Sequence, residues 1–169
     1  MTYKLKRAVV RTSLLALGAG FDLVSRHSRE LQAEIATWEE GRVFSLGVLP
    51  NGPRVSFRKE GDRIRYLGTG DYRPSLEVLF KNLDCALLPL SGRISADTAF
   101  VQRRAILRGS ISQGIQTGRA LRIVQAYLLP GFMLRRMMKR APALDPVQRF
   151  VKAGIMAALG VMMLLSLGK

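Results

Sequence analysis

Residues 43–67 read VFSLGVLPNGPRVSFRKEGDRIRYL, and their alternation decides the fold class. Successive side chains of a strand point to opposite faces, so a run with apolar residues at every second position has one greasy face and one wet one. From Val43 to Leu49, Phe44, Leu46 and Val48 share a face. From Arg54 to Lys59, Val55 and Phe57 share a face against Arg54, Ser56 and Arg58. Ile64 to Leu67 continues the pattern. Between them stand Pro50-Asn51-Gly52-Pro53 and Gly61-Asp62, both turn clusters. Three short strands joined by tight turns make an antiparallel meander with one face for a core.

Working outward, residues 22–38 (DLVSRHSRELQAEIATW) place Leu23, Val24, Leu31, Ile35 and Trp38 at helical spacing, with Asp22 as N-cap and Gly41 as the stop. Downstream, Leu76, Val78 and Phe80 alternate with Glu77 and Lys81, so residues 75–81 read as a fourth strand. Residues 82–90 read as a short apolar helix with Asp84 near its start. Asp97 is placed to cap a helical turn through Arg103. Ala105 to Arg108 is a fifth strand closed by Gly109. Residues 111–128 are a helix, read with Ile115, Leu121, Val124 and Leu128 on one side. The expected fold is therefore α+β. A five-stranded antiparallel-type sheet carries helices on one face that enclose a hydrophobic pocket, and an apolar helix follows at the C-terminal end.

Composition narrows the function. There are 27 Lys+Arg against 12 Asp+Glu, a formal charge of +15, so the surface attracts anions such as lipid headgroups, acidic proteins or nucleic acid. The excess belongs to the later part of the chain. Residues 97–152 hold eleven basic groups and only Asp97 and Asp145 as acids. The basic residues are interleaved with Met and Leu and not with base-stacking aromatics, which argues against a specific nucleic-acid partner and leaves only non-specific binding as that alternative. One cysteine, Cys85, in an apolar run reads as a buried thiol, and one histidine, His27, without a ligand cluster argues against a metal site. No serine elbow, Cys–His pair or paired carboxylates stand at catalytic spacing, so no catalytic residue is expected.

Both ends point to a membrane. Residues 1–29 open with Lys4, Lys6, Arg7 and Arg11 before Leu14-Leu15-Ala16-Leu17, which reads as a basic amphipathic helix better than as a secretory leader. In residues 129–169, Phe132 to Arg140 interleaves Met133, Leu134, Met137 and Met138 with Arg135, Arg136, Lys139 and Arg140. This pattern suits an anionic bilayer, or else a solvated face over a core helix. Ala153 to Leu167 has fifteen residues without a charge. That is short of the ~20 needed to span, and it predicts a membrane-dipping anchor against the alternative of a tail packed on the protein.

Residues 97–115, DTAFVQRRAILRGSISQGI, carry a family resemblance. They resemble the helix–strand–Gly–helix segment of the sterol-carrier-protein-2 domain family. The D-T-x-F-x-Q-R-R form is similar to that of the accessory factors of bacterial ubiquinone biosynthesis of the UbiT type. The resemblance covers roughly residues 30–128, as a tryptophan-bearing helix, the meander, LEVLF and an apolar helix in the same order. It implies a lipid-binding domain with a hydrophobic tunnel, no catalysis of its own, and no cofactor beyond a bound lipid or isoprenoid quinone. It further implies partners of the UbiU/UbiV hydroxylation kind on the cytoplasmic side of the inner membrane. Phospholipid binding or transfer is the alternative that the same fold allows. On this reading Phe57, Val78, Phe80, Phe100, Ile115 and Val124 line the tunnel. Arg103 and Arg104, with the four cations at 135–140, meet headgroups and membrane. A second reading of Gln102-Arg103-Arg104 is a helix end, where arginines satisfy carbonyls and favour the dipole.

Overall fold

A computed structural model describes residues 2–70 and 72–128. The expectations for the basic Met-rich segment with Arg135, Arg136, Lys139 and Arg140, and for the apolar tail at 153–167, fall outside the described residues.

The elements run α1 (Tyr3–His27), α2 (Arg29–Ala36), β1 (Val43–Val48), β2 (Arg54–Glu60), β3 (Arg63–Gly68), β4 (Leu76–Phe80), α3 (Leu83–Leu90), α4 (Ala96–Val101), β5 (Ala105–Arg108) and α5 (Ile111–Leu128). The five strands form one sheet in the order β3-β2-β1-β4-β5. The α+β class and the strand count match the sequence reading. The sheet is mixed, because β4 runs parallel to β1 while the other pairs are antiparallel. The register shows why a short link suffices. Gly68 pairs with Ser56, which pairs with Ser45, and Leu76 pairs with Phe44. β3 thus ends at the level where β4 begins. The link has only to move sideways by three strand spacings, ~14 Å, which seven residues at up to ~3.3 Å each cover easily.

The two faces of the sheet differ as the alternation predicts. Phe44, Leu46, Val48, Val55, Phe57, Ile64, Leu76, Val78 and Phe80 point to the core. On the opposite face, Arg54 reaches across β1 to Glu77, 2.8 Å away, and Arg108 approaches the same carboxylate at 3.6 Å. Gly47 on the intervening strand makes this crossing possible: a Cβ there would lie 3.3 Å from Arg54 Nε. At the far corner, Glu40 accepts from Lys59 Nζ and from the Gly61 amide, both at 2.8 Å, and these donors hold its carboxyl below the usual range.

Two helix boundaries differ from the sequence reading. Residues 22–38 are not one helix capped by Asp22. α1 runs through to His27, Asp22 pairs with Arg26 inside it, and Ser28 breaks the chain and caps α2 by accepting from the Leu31 amide at 3.3 Å. A serine hydroxyl competes well for exposed helix amides, which makes it a stronger start signal than a mid-helix Asp. Likewise α4 is capped by Ser95, which accepts from Thr98 N at 3.1 Å, and Asp97 lies in its first turn.

α1 packs on the core of the domain. Val10, Leu14, Leu17, Phe21 and Val24 recur at steps of four and three along α1, which puts them on one stripe. That stripe is buried against β2, β3, α3 and α5. By length and composition α1 is apolar enough to cross a bilayer. Its apolar stripe is nonetheless taken up by the protein's own core.

Candidate functional site

The inner face of the sheet divides into a solid half and a hollow half. Over β1, β2 and β3 the core is aromatic. Phe44 and Phe57 stack at 4.8 Å, Phe21 from α1 lies 5.2 Å from Phe57, Trp38 stands edge-on to Phe44 at 5.7 Å, and Tyr66 closes the group at 6.0 Å from Phe57. Over β4 and the end of β1 the side chains are aliphatic apart from Phe80, and the roof is made of α3, α4 and α5. Here lies an apolar cavity of about 30 Å³, walled by Leu17, Leu46, Val78, Phe80, Pro89, Leu90, Ala96, Phe100, Leu121 and Gln125. Such a volume admits one or two waters and no lipid chain. The walls best able to part are α3 and α4, since each has eight residues or fewer and α3 carries Pro89 inside it.

Of the residues expected to line a tunnel, Val78, Phe80 and Phe100 stand in this wall. Phe57 and Val124 are fully buried and do not line this cavity. Ile115 is 59% exposed, on the outer side of α5. The helix explains it: Thr117, Leu121 and Val124 define the inward stripe, and Ile115 sits about 200° from Thr117 at 100° per residue. Sequence reasoning missed Leu17, Leu46, Pro89, Leu90, Ala96, Leu121 and Gln125. A signal existed for Gln125, since it follows Leu121 by four residues and so places an amide on an apolar helix face.

Arg103 and Arg104 form the end of α4, through their backbone. Arg103 N donates to Phe100 O at 2.9 Å and Arg104 N to Ala99 O at 2.8 Å. This paired pattern normally ends on a glycine, because it needs a left-handed residue. Arg103 takes that position with φ 55°. Here the backbone amides satisfy the carbonyls, while the Arg104 guanidinium donates to Gln102 Oε1 at 2.7 Å. The Arg103 side chain is exposed. A glycine avoids the left-handed strain, so Arg103→Gly is expected to raise stability by up to ~1 kcal/mol in urea titration. A loss of stability instead would mean that the arginine side chain makes a contact worth more than the strain.

A mixed sheet ordered 3-2-1-4-5, with helices on one face over a partly hollow core, is the fold of sterol-carrier-protein-2 domains. The solution structure of a conserved protein of Thermus thermophilus, described as possibly a sterol carrier protein, matches over 65% of this chain and 81% of that one, with TM-score 0.50 and 16% identity. A crystal structure of sterol carrier protein 2 matches over 68% and 95% (TM-score 0.49, 13% identity), and a ubiquinone synthesis protein, UbiJ-SCP2, over 72% and 96% (TM-score 0.43, 15% identity). At 16% identity the likeness to the first of these is one of fold alone. No family model and no curated protein matches the sequence.

Proposed function

We propose that this protein is a non-enzymatic lipid-binding protein that works at an anionic membrane surface. The observation that supports it best is the cavity between β4 and α3–α5, whose wall is aliphatic and aromatic apart from Gln125. A chain entering there pushes α3 and α4 outward and replaces their contacts with its own. Lys81 directly follows the wall residue Phe80 and its amide donates to Arg104 O at 3.0 Å, so Lys81, Arg103 and Arg104 supply cations near this end of the sheet for anionic headgroups.

Within that reading, the ligand is an isoprenoid quinone intermediate held for ubiquinone synthesis, on the cytoplasmic side of a bacterial inner membrane, with partners of the UbiU/UbiV kind. The resemblance of residues 97–115 to UbiT-type accessory factors is what favours it. Phospholipid binding or transfer is the second reading, favoured by the exposed Lys81 and Arg103. The test is to purify the chain in mild detergent and identify extracted lipids by mass spectrometry. A prenylated phenol or quinone near one per protein is expected. A stoichiometric phospholipid selects the second reading. No lipid, together with no retention by anionic liposomes, refutes both.

A further inference from the structure

We propose that the cavity takes a neutral, hydroxyl-bearing amphiphile, whose hydroxyl enters the pocket and hydrogen-bonds the Gln125 amide. The proposal rests on the lipid-binding reading and adds the chemistry of the ligand's polar group. Gln125 is only 7% exposed, lines the cavity, and its Oε1 has no hydrogen-bond partner. A buried amide oxygen left unpaired is costly. The neighbouring inward positions of α5 are Leu121 and Val124, so a leucine or methionine at 125 would fill the same space without that cost. An amide there is explained if something pairs with it.

The rest of the wall says what that partner is. None of the other lining residues carries a charge. A carboxylate or ammonium in the pocket would lose its water and meet no opposite charge, so the group that enters is neutral. An amide side chain presents an acceptor on one edge and two donors on the other. A hydroxyl both donates and accepts, and pairs with whichever edge faces the cavity. A carbonyl or ether pairs with only one of them. The body of the ligand is hydrocarbon, to match Leu46, Val78, Phe80, Phe100 and Leu121. Long-chain alcohols, prenyl alcohols and prenylated phenols belong to this class. A charged phospholipid head does not, and would stay at the rim.

The experiment uses the full chain and a neutral fluorescent polyene, diphenylhexatriene, as reporter. Hexadecanol, hexadecane and palmitate, each delivered from cyclodextrin at mildly alkaline pH, compete for it. Hexadecanol is expected to compete roughly 3- to 10-fold better than hexadecane and better than palmitate, the range one net hydrogen bond gives. In Gln125→Leu, and in Gln125→Met should the leucine variant fold poorly, that advantage disappears while hexadecane competes as well as before or better. Equal competition by alcohol and alkane in the parent chain means that Gln125 serves only a water, and overturns the proposal. So does an alcohol advantage that survives both substitutions. If neither the reporter nor any of the three chains binds, it is the lipid-binding reading that has failed.

Discussion

Replacing Phe57 by alanine is expected to cost about 3–5 kcal/mol of folding stability, the range for emptying a phenylalanine site in a packed core. Phe57 is fully buried on β2, the strand between β1 and β3, and pairs across them with Phe44 and Tyr66. Its ring touches three others, from α1, β1 and β3, within 6.0 Å. No single neighbour can relax into the space, because each is fixed by a strand ladder or by α1. A typical domain has only about 5–15 kcal/mol in total, so the variant should be partly unfolded at growth temperature. Phe100→Ala makes the contrast. Phe100 is half-buried in a short helix beside a cavity, and its removal enlarges that cavity at a smaller cost. Urea titration of both variants decides: a Phe57→Ala midpoint near the parent, or a larger loss for Phe100→Ala, would refute the division into solid and hollow halves.

That division also marks how far the sequence could be read. The meander was legible because each strand alternates strictly and each turn carries Gly or Pro. The parallel pairing of β1 and β4 was not, since nothing in LEVLF says which strand it lies beside. The contribution of α1 was hidden by its basic opening and by Gly18 and Gly20, which look like helix breakers. The packing gives both glycines a reason: a Cβ on Gly18 would lie 2.7 Å from the Tyr66 ring, and one on Gly20 2.6 Å from Leu128. Phe57 reads as a tunnel residue because it is aromatic and faces inward, which holds equally for a core residue. What separates the two is Phe21, thirty-six positions earlier, which packs on Phe57, whereas Val78 faces the cavity. Gln125 escapes notice because a polar residue on a helix reads as solvent-facing until the helix's inward stripe is known.

The second large effect is expected at Arg42, a residue that no motif singled out. The residue is 5% exposed, and its guanidinium sits 4.4 Å over the Trp38 ring centroid. It donates to Gln116 Oε1 and Gln113 O, each at 2.8 Å, and to Thr117 Oγ1 at 2.9 Å. Burial pulls its pKa below the ordinary arginine value and Glu39 opposes this, yet the group stays protonated at any working pH. It is a fork that ties the first turns of α5 to the start of β1. Methionine keeps much of the apolar stem and removes the fork. Thr117, fully buried, then loses the donor to its hydroxyl oxygen, at roughly 1–3 kcal/mol if water does not reach it, while Gln113 O and Gln116 Oε1 each lose a charge-assisted bond and the former keeps its helix bond. Removing the buried cation gives some of this back, and losing the stacking on Trp38 adds about 0.5–2 kcal/mol to the cost. The net loss for Arg42→Met should be about 2–4 kcal/mol. Arg42→Lys should recover little of it, because one ammonium cannot reach three acceptors in a plane. The effect should also be local. α5 carries Leu121 and Gln125 into the cavity, so its amides should lose hydrogen-exchange protection before those of β2 and β3 do. Uniform loss across the sheet would make Arg42 a general core residue. Unchanged stability would mean that the fork holds nothing, and the cavity wall would then be positioned by apolar packing alone.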